Sequence, residues 1–327
     1  MSHQEWIINP PDPRSELLAQ ALKIPFWVAR VLTNRQIYTP DEARSFLFGD
    51  ASCFHDPFLF RDMRKAVERI KRAIKNKERI LVFGDYDVDG ILSVVMLTRA
   101  ISDLGGEVDY YIPNRLSEGY GLKESSLETI KKKGANLVIS TDCGITATAF
   151  VARAKEAGLD VIITDHHQPG PTLPPAEAIL NPVLPHSGYP EKNLAAVGVV
   201  FKLIQALYHG HPRQKIVSHY LKLVAIGTVA DVAELKGENR LLVKKGLEQL
   251  KQAVNPGLKG LLEICGLLGK KVSVWDVGFR IGPRLNAAGR LGEAEAAVEL
   301  FFSSDDEKID LSVSYTHLRA HETRHDL

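Results

Sequence analysis

The chain has 327 residues, 45% of them hydrophobic and 25% charged, which is the composition of an ordinary globular protein with room for about two domains. Its 41 basic and 40 acidic residues give a net charge of +1, so the overall field indicates no nucleic-acid partner, although a local basic groove stays open. Three cysteines without C-x-x-C spacing argue against a zinc knuckle or a disulfide framework and favour a reducing cytoplasm.

Residues 1 to 75 carry helical periodicity. Apolar residues recur at helical spacing over 16–22, 26–32 and 63–75, and Thr39 followed by Pro40 and two acids predicts a helix that runs to about 47. The opening stretch, MSHQEWIINPPDPRSE, lacks the basic and apolar parts of a signal peptide, and no apolar run in the chain approaches the length of a membrane span. We therefore predict a helical N-terminal region in a soluble, cytoplasmic protein that has no membrane contact.

From residue 76 the pattern alternates between short apolar runs and amphipathic stretches. Strands are predicted at 80–84, 108–112, 137–141 and 161–164, with helices between them at 91–104, 125–133 and 147–157. Such βαβ units predict an α/β fold built on a parallel sheet with flanking helices. Beyond about residue 190 the chain is mainly helical, with predicted helices at 194–207, 214–226 and 239–250.

Three aspartates at alternate positions follow the first predicted strand in the stretch FGDYDVDGILSVVM. Asp85, Asp87 and Asp89 with the following glycine fit the first half of an EF-hand loop, but Met96 stands where the bidentate Glu should be. A phosphate-binding P-loop is also excluded, because no GK[ST] follows and the acids would repel phosphate. The better interpretation is an acidic loop between a strand and a helix, at the sheet edge where α/β proteins bind ligands.

Three later segments repeat this theme of an acid or a histidine just after an apolar run. They are Asp142, then the group Asp165, His166 and His167, and finally Asp231 at the end of a helix-like run. Because the carboxyl ends of parallel strands share one edge, these residues are expected to converge. Taken singly, Asp142 is explained as a helix N-cap, the two histidines as a surface turn and Asp231 as a helix end.

The converging residues predict a metal site. Carboxylates with imidazole and no thiolate suit Mn²⁺, with Mg²⁺ as an alternative and Zn²⁺ less suitable. Cations also remove the mutual repulsion of the acids. Two metals about 3.5–4 Å apart are the common apparatus for displacement at phosphorus, so the pattern predicts phosphoester hydrolysis.

The motifs together resemble one protein family. The strings VFGDYDVDG, STDCGI, ITDHHQPG, AIGTVADVAELKGENR and FRIGPRLNAAGRLGEAEAAVEL occur in the order found in the RecJ family of bacterial single-stranded-DNA-specific exonucleases, within the DHH phosphoesterase superfamily. The similarity spans about residues 5 to 303. It implies a 5′→3′ exonuclease that acts in DNA repair and recombination, hydrolysing single-stranded DNA to 5′-mononucleotides by in-line attack of hydroxide at two metal ions.

The resemblance also implies roles for individual residues. The implied ligands of two Mn²⁺ ions are Asp87, Asp89, Asp142, His166 and Asp231. His167 matches the histidine that faces the substrate phosphate and assists hydrolysis, and Asp85 matches an outer-sphere residue that supports the loop or orients water. Phe83 stands where pyrophosphatase relatives have a ligand histidine, a departure that RecJ proteins share.

The resemblance places further residues around the site as DNA contacts. The implied arginine and asparagine contacts are Arg115, Arg280, Arg284, Asn286 and Arg290, because guanidinium binds phosphate bidentately and Asn bonds to sugar or phosphate. Tyr120, flanked by glycines, offers a ring on which a base can stack. For each arginine alone, a surface salt bridge remains the competing interpretation. Single-strand-binding protein and a helicase are the protein partners that the family implies.

The implied domain organisation has four parts. Residues 1–75 form the helical N-terminal region, 76–235 the phosphoesterase domain, 236–303 a helical connector, and 304–327 an unlike tail. In the tail, SYTHLRAHETRHDL would align three histidines on a helix, but it is similar to translated linker sequence and is expected to be non-native from about Ser312. A second domain that RecJ proteins carry after the connector is not visible, so we expect a fragment that binds metal but has weak or absent processive exonuclease activity.

Two other functions remain open. One is a DHH hydrolase of small substrates, such as a short-oligonucleotide or nucleotide phosphatase or a pyrophosphatase, and substrate length separates it from the exonuclease. The other is a non-catalytic binding protein like the replication relatives of this fold. Such a protein has lost metal ligands and should show no stabilisation by Mn²⁺.

Overall fold

The computed structural model describes residues 9–115, 117–290, 294–303 and 305, with only the backbone at 288 and 290. The strands are β1 (Ile80–Gly84), β2 (Val108–Tyr111), β3 (Leu137–Thr141), β4 (Asp160–Thr164) and β5 (Ala178–Leu180). They form one parallel sheet in the order β2-β1-β3-β4-β5. Gly84 pairs with Thr141, and Thr141 with Thr164, so the carboxyl ends of β1, β3 and β4 are level.

Helices surround this sheet. In chain order they are α1 (Arg14–Leu22), α2 (Phe26–Asn34), α3 (Pro40–Phe48), α4 (Met63–Asn76), α5 (Val88–Asp103), α6 (Glu124–Lys132), α7 (Thr148–Glu156), α8 (Ala196–Leu207), α9 (Leu221–Ala230), α10 (Gly237–Leu250), α11 (Pro256–Ile264), α12 (Val274–Asp276), α13 (Gly282–Arg290) and α14 (Ala294–Phe302). Short 3₁₀ turns occupy Ala51–Cys53, Pro57–Leu59 and Gln214–Tyr220, and a π-helical turn, Val277–Ile281, joins α12 to α13.

The sheet is covered on both faces, which explains why its central strands read as continuous apolar runs. Val82 and Ile139 point into a large cluster that includes α4, α5, α8 and α9. Leu81, Phe83 and Val138 point into a smaller cluster with α6 and α7. All residues of β1 and β3 are buried. The predicted α/β fold with a parallel sheet and flanking helices is therefore confirmed.

The predicted helical N-terminal region is also present, and α1, α2 and α3 enclose a small core of their own around Leu18, Leu32 and Ala43. Thr39 forms the predicted N-cap of α3 as part of a capping box, because its hydroxyl accepts from the Glu42 amide while the Glu42 carboxylate accepts from the Thr39 amide. The domain boundaries near 75, 235 and 303 stay predictions.

Two elements differ from the sequence prediction. β5 was not predicted, because three residues among prolines give no periodic signal. The predicted helix at 214–226 is instead a 3₁₀ segment followed by α9, which extends to Ala230. The tail from Ser312, with its three histidines, lies outside the described residues. None of the helices that the structure describes is long and apolar enough to cross a membrane.

Candidate metal centre

The acidic loop connects β1 to α5, and Asp87 is the residue that caps the helix. Its Oδ1 accepts a hydrogen bond from the Gly90 amide at 3.0 Å. The N-cap interpretation considered for Asp142 does not apply, because α7 begins only at Thr148. Asp142 instead adopts a left-handed backbone conformation with φ of 60°, which turns the chain sharply at the end of β3.

Asp89 is held by a helix N-terminus. It is 1% exposed, and its two carboxylate oxygens accept hydrogen bonds from the amides of Ala196 at 2.6 Å and Val197 at 2.9 Å. These amides belong to the first turn of α8, where the free N–H groups and the helix dipole favour an anion. The loop carboxylate is therefore fixed in place by an element more than a hundred residues away in sequence.

His166 joins carboxylates from three parts of the chain. Its Nε2 lies 3.1 Å from Asp142 Oδ1 and 3.8 Å from Asp89 Oδ2, and its Nδ1 lies 3.8 Å from Asp231 Oδ2. Asp231 is the C-cap of α9, so this third acid comes from the end of a helix, as its apolar run suggested. The residues predicted to converge at the sheet edge do so.

Three overlapping groups in the described residues are compact enough to hold a cation, since the ligand atoms within each lie within 4.8 Å of one another. These groups are Asp142 with His166 and His167, Asp89 with His166 and Asp231, and Asp85 with Asp87 and Asp142. The donors are carboxylate oxygens and imidazole nitrogens without a thiolate, a set that suits Mn²⁺ or Mg²⁺. Asp85 lies in one group directly, although the sequence analysis placed it outside the ligand set.

The electrostatics of the acids also fit a bound cation. Burial, followed by the charge of Asp87, raises the pKa of Asp85 to about 7 and that of Asp231 to about 6. Burial and neighbouring carboxylates raise the pKa values of Asp89 and Asp142 well above the usual range. In addition, Asp85 Oδ1 is buried without a hydrogen-bond partner among the described residues. A divalent cation would counter the repulsion between the carboxylates and would give Asp85 Oδ1 a partner.

The pKa values of the two histidines are shifted in opposite directions. Burial lowers the pKa of His166 to about 4, which keeps its imidazole neutral, as a metal ligand must be. A hydrogen bond to the Asp165 carboxylate raises the pKa of His167, whose side chain is 48% exposed. His166 is thus suited to bind a cation, and His167 to face a bound anion.

Asp165 organises this histidine pair, a role that the sequence analysis did not assign. Its Oδ1 accepts from the amides of His166 and His167 and lies 2.8 Å from His167 Nδ1, while its Oδ2 accepts from the Ile145 amide. The carboxylate is fully buried, and these bonds hold its pKa below the usual range. The signal for this role was its position directly before the two histidines.

Two of the predicted DNA contacts border the centre. Tyr120 is 44% exposed, its hydroxyl donates to the Asp142 carbonyl at 3.2 Å, and its ring meets the His167 ring edge-on at 6.1 Å. The exposed Arg115 places its guanidinium 5.1 Å from the centroid of the Tyr86 ring, in the acidic loop itself. A ring and a cation therefore flank the carboxylates.

The remaining predicted contacts lie on α13 and the preceding turn. Arg280 pairs with Asp276 at 3.1 Å, and an Nη1 of Arg284 donates to the Arg280 carbonyl at 2.6 Å. Asn286 uses its Oδ1 to accept from the Val88 amide at 3.1 Å, so this oxygen supports the acidic loop. The side chain of Arg290 lies outside the described residues.

Comparison with known proteins agrees with this geometry. The family model described as "DHH family, N-terminal domain" matches residues 79–228. The single-stranded-DNA-specific exonuclease RecJ of Bacillus subtilis (strain 168) is 43% identical over 305 residues, which cover 93% of this chain and 38% of that protein. The acidic loop, Asp142 and the histidine pair all lie within the region that the family model matches.

Solved structures give the same result. A crystal structure of exonuclease RecJ bound to manganese superimposes with a TM-score of 0.73 at 37% identity, covering 81% of this chain and 67% of that one. RecJ in complex with Mn²⁺ from Thermus thermophilus gives a TM-score of 0.78 at 32% identity, covering 96% of this chain and 45% of that one. The chain therefore belongs to the DHH family. Within that family it belongs with the RecJ proteins, and it spans about two fifths of the length of the Bacillus subtilis relative.

Proposed function

We propose that this chain hydrolyses phosphodiester bonds of single-stranded DNA from a 5′ end, releasing 5′-mononucleotides in DNA repair and recombination. The observation that carries the proposal is the buried cluster of carboxylates and imidazole at the carboxyl edge of the sheet. The preference for single strands is supported by the names of the RecJ relatives. A cytoplasmic location, and single-strand-binding protein and a helicase as partners, belong to the same proposal.

Two Mn²⁺ ions, or Mg²⁺ in their place, are the proposed cofactors, and solved RecJ structures contain each metal. The proposed ligands are Asp87, Asp89, Asp142, His166 and Asp231. Asp85 is close enough to contribute as well. When bound, such cations supply the positive charge that activates water and neutralises the phosphate oxygens in displacement at phosphorus.

The chain's own residues position the substrate and a proton. Asp165 accepts from His167 Nδ1, which fixes the imidazole and stabilises its charged form, so Nε2 is available to donate to a phosphate oxygen. The hydrogen bonds from α8 already hold the Asp89 carboxylate in place, so the acidic loop does not have to rearrange when a metal or substrate binds. In this way the site is preorganised before substrate arrives.

The proposed DNA path runs past Arg115 and Tyr120, with Arg280 and Arg284 as further contacts. The ring of Tyr120 is exposed beside His167, which fits stacking of a base next to the scissile phosphate. Arg115 is exposed over the acidic loop, where its charge counters the repulsion between phosphate and the carboxylates.

The test is release of mononucleotides from 5′-phosphorylated single-stranded DNA in Mn²⁺, compared with duplex DNA, a dinucleotide and pyrophosphate. Release confined to long single strands, and lost in Asp142→Asn, is the expected result. Turnover of only the dinucleotide or pyrophosphate would show a small-substrate hydrolase instead. Stabilisation of the chain by Mn²⁺ is measured in parallel, because a site that binds no Mn²⁺ would contradict the proposed centre.

A further inference from the structure

A second candidate site lies at the far ends of two helices that build the metal centre. A cavity of about 360 Å³ opens between α5, the 3₁₀ segment, α9, α11 and α14. Asp89 is in the first turn of α5, whereas Arg99 and Asp103 line the cavity near the end of that helix. At about 1.5 Å per residue, Arg99 is roughly 15 Å along the axis from Asp89. Helix α9 runs the opposite way, from the cavity to Asp231.

The cavity is lined by a largely buried lysine whose ammonium has no partner among the described residues. Lys222 is 8% exposed and lines the cavity. Among the described residues it has neither a hydrogen bond nor an ion pair, and burial lowers its pKa. Its ammonium is not among the fully buried atoms, so it reaches the open side of the cavity, where no described side chain serves as its partner. By comparison, the fully enclosed Lys202 has one in Glu238 at 2.5 Å.

The rest of the lining adds positive charge. Arg213 donates to the Asp103 carbonyl at 3.1 Å and lies 3.8 Å from the Asp103 carboxylate, which is the one acid among the described residues of the lining. Arg99 donates a long hydrogen bond of 3.4 Å to the Phe301 carbonyl, and the other polar side chains of the lining are His219, Tyr220 and Asn255. Two exposed arginines and a lysine thus line the cavity with a single carboxylate, which Arg213 already engages.

The other walls are apolar and include Ile216, Leu258 and Phe301, with the first turn of α11 at one side. The positive end of the α11 dipole favours an anion there, while the C-terminal end of α5 opposes it in part. Apolar walls with a few convergent polar groups are typical of sites for small organic ligands, and the volume suits a molecule of mononucleotide size.

We propose that this cavity binds a phosphomonoester, with the phosphate at Lys222 between Arg99 and Arg213 and the organic part against the apolar walls. Guanidinium groups bind phosphate in a bidentate manner, and a lysine adds a point charge. The site is separate from the metal centre, and the inference does not depend on the proposed nuclease activity.

The test is isothermal titration of the intact chain with inorganic phosphate and with dAMP at constant ionic strength. EDTA is present so that neither ligand binds through a metal ion. We expect dAMP to bind at least as tightly as phosphate. Lys222→Met should weaken the binding of both ligands about tenfold or more, because a hydrogen bond to a charged partner is lost. Lys215→Met is the matched control, since Lys215 is exposed on the neighbouring 3₁₀ segment and does not line the cavity.

Thermal unfolding without ligand shows whether the variant is folded. Lys222→Met should have a Tm no lower than that of the wild type, because methionine keeps the shape of the largely buried side chain. Binding that is absent from the wild type, or that is equally strong in Lys222→Met, would overturn the site. Binding of phosphate with exclusion of dAMP would overturn the assignment to a monoester.

Discussion

At the scale of single residues, the acids of the metal centre repel one another, and a bound cation offsets that repulsion. Asp142→Asn is the sharpest test, because Asn also tolerates the left-handed backbone at this position and keeps the side-chain shape. We expect the variant to be more stable than the wild type in EDTA. Its affinity for Mn²⁺ should also fall by about 100-fold or more. Substituting a residue that only supports a metal ligand already costs up to about 100-fold. Thermal unfolding with and without Mn²⁺ measures both effects.

A substitution remote from the site provides the control for this variant. Asp41→Asn changes the same chemical group at an exposed position in the first turn of α3. It should leave the Mn²⁺-dependent shift in Tm unchanged. A full Mn²⁺ shift in Asp142→Asn would show that this carboxylate does not bind the metal.

The raised carboxyl pKa values also predict how Mn²⁺ binding depends on pH. The pKa values of about 7 for Asp85 and about 6 for Asp231 mean that protons compete with the metal below neutrality. Without metal, these acids stabilise the fold fully below pH 3.8, and that contribution is lost as pH rises through 6 and 7. The Mn²⁺-induced rise in Tm should therefore be small near pH 5.5 and reach its maximum above about pH 7.5. An Mn²⁺ shift that is constant over this range would contradict the prediction.

Substitution of His167, whose imidazole is held by Asp165, tests catalysis separately from metal binding. His167→Gln should lower kcat by about 10² to 10⁴, the range for loss of a general acid, while the Mn²⁺-dependent shift in Tm stays near that of the wild type. The rate on single-stranded DNA and the Tm are measured on the same preparation. Loss of the Mn²⁺ shift in His167→Gln would show that this histidine is a metal ligand instead.

The candidate residues were predictable from the sequence because aspartates and histidines follow apolar strands at one edge of a parallel sheet. Their supporting contacts were not predictable. The amides of Ala196 and Val197 carry no side-chain signal, yet they hold Asp89. Asn286 similarly supports the loop through Val88, a contact across almost two hundred residues that no local pattern encodes.

At the scale of elements, α13 packs against the acidic loop, and Gly289 makes this approach possible. A Cβ at this position would lie 1.8 Å from the Tyr86 carbonyl oxygen, so Gly289→Ala must displace the helix or the loop. We expect Gly289→Ala to lower the Tm and to weaken Mn²⁺ binding about tenfold or more, as loss of a supporting contact does. Thermal unfolding with a series of Mn²⁺ concentrations measures both quantities.

Gly278, in the π-helical turn before α13, is the matched control for this substitution. A Cβ there meets no atom within 4 Å. Gly278→Ala should change stability by less than about 1 kcal/mol and leave Mn²⁺ binding unaltered. Equal behaviour of the two alanine variants would show that contact between α13 and the loop does not shape the metal site.

The elements themselves were predictable to different degrees. The four longer strands and the helices between them have clear periodicity. The segment of β5 has none, and it is a strand because it pairs with β4. The 3₁₀ segment Gln214–Tyr220 has an apolar pattern close to that of a helix, and packing rather than local preference decides its geometry. Tertiary contacts therefore decide the elements that sequence periodicity leaves open.

At the scale of the whole molecule, a buried ion pair connects segments far apart in the chain. Lys202 in α8 and Glu238 in α10 are 2.5 Å apart, and both side chains are fully enclosed. Lys202 also donates to the His55 carbonyl, while Glu238 accepts from the His55 amide and from the Tyr189 hydroxyl. The loop after α3 is thus attached to α8 and α10.

Breaking this pair from one side should be far more harmful than removing it completely. Glu238→Gln leaves the Lys202 ammonium buried without a counter-charge and should lower the free energy of unfolding by about 3–5 kcal/mol. The double variant Lys202→Met with Glu238→Gln should recover part of that loss, because the unpaired charge is gone. Glu248→Gln, which breaks the exposed pair with Lys245 at 3.1 Å, should cost no more than about 1 kcal/mol. Urea unfolding of the wild type, these three variants and the single variant Lys202→Met measures these differences. Additive single and double effects would contradict the coupling, since residues in one buried network should interact by about 0.5–3 kcal/mol.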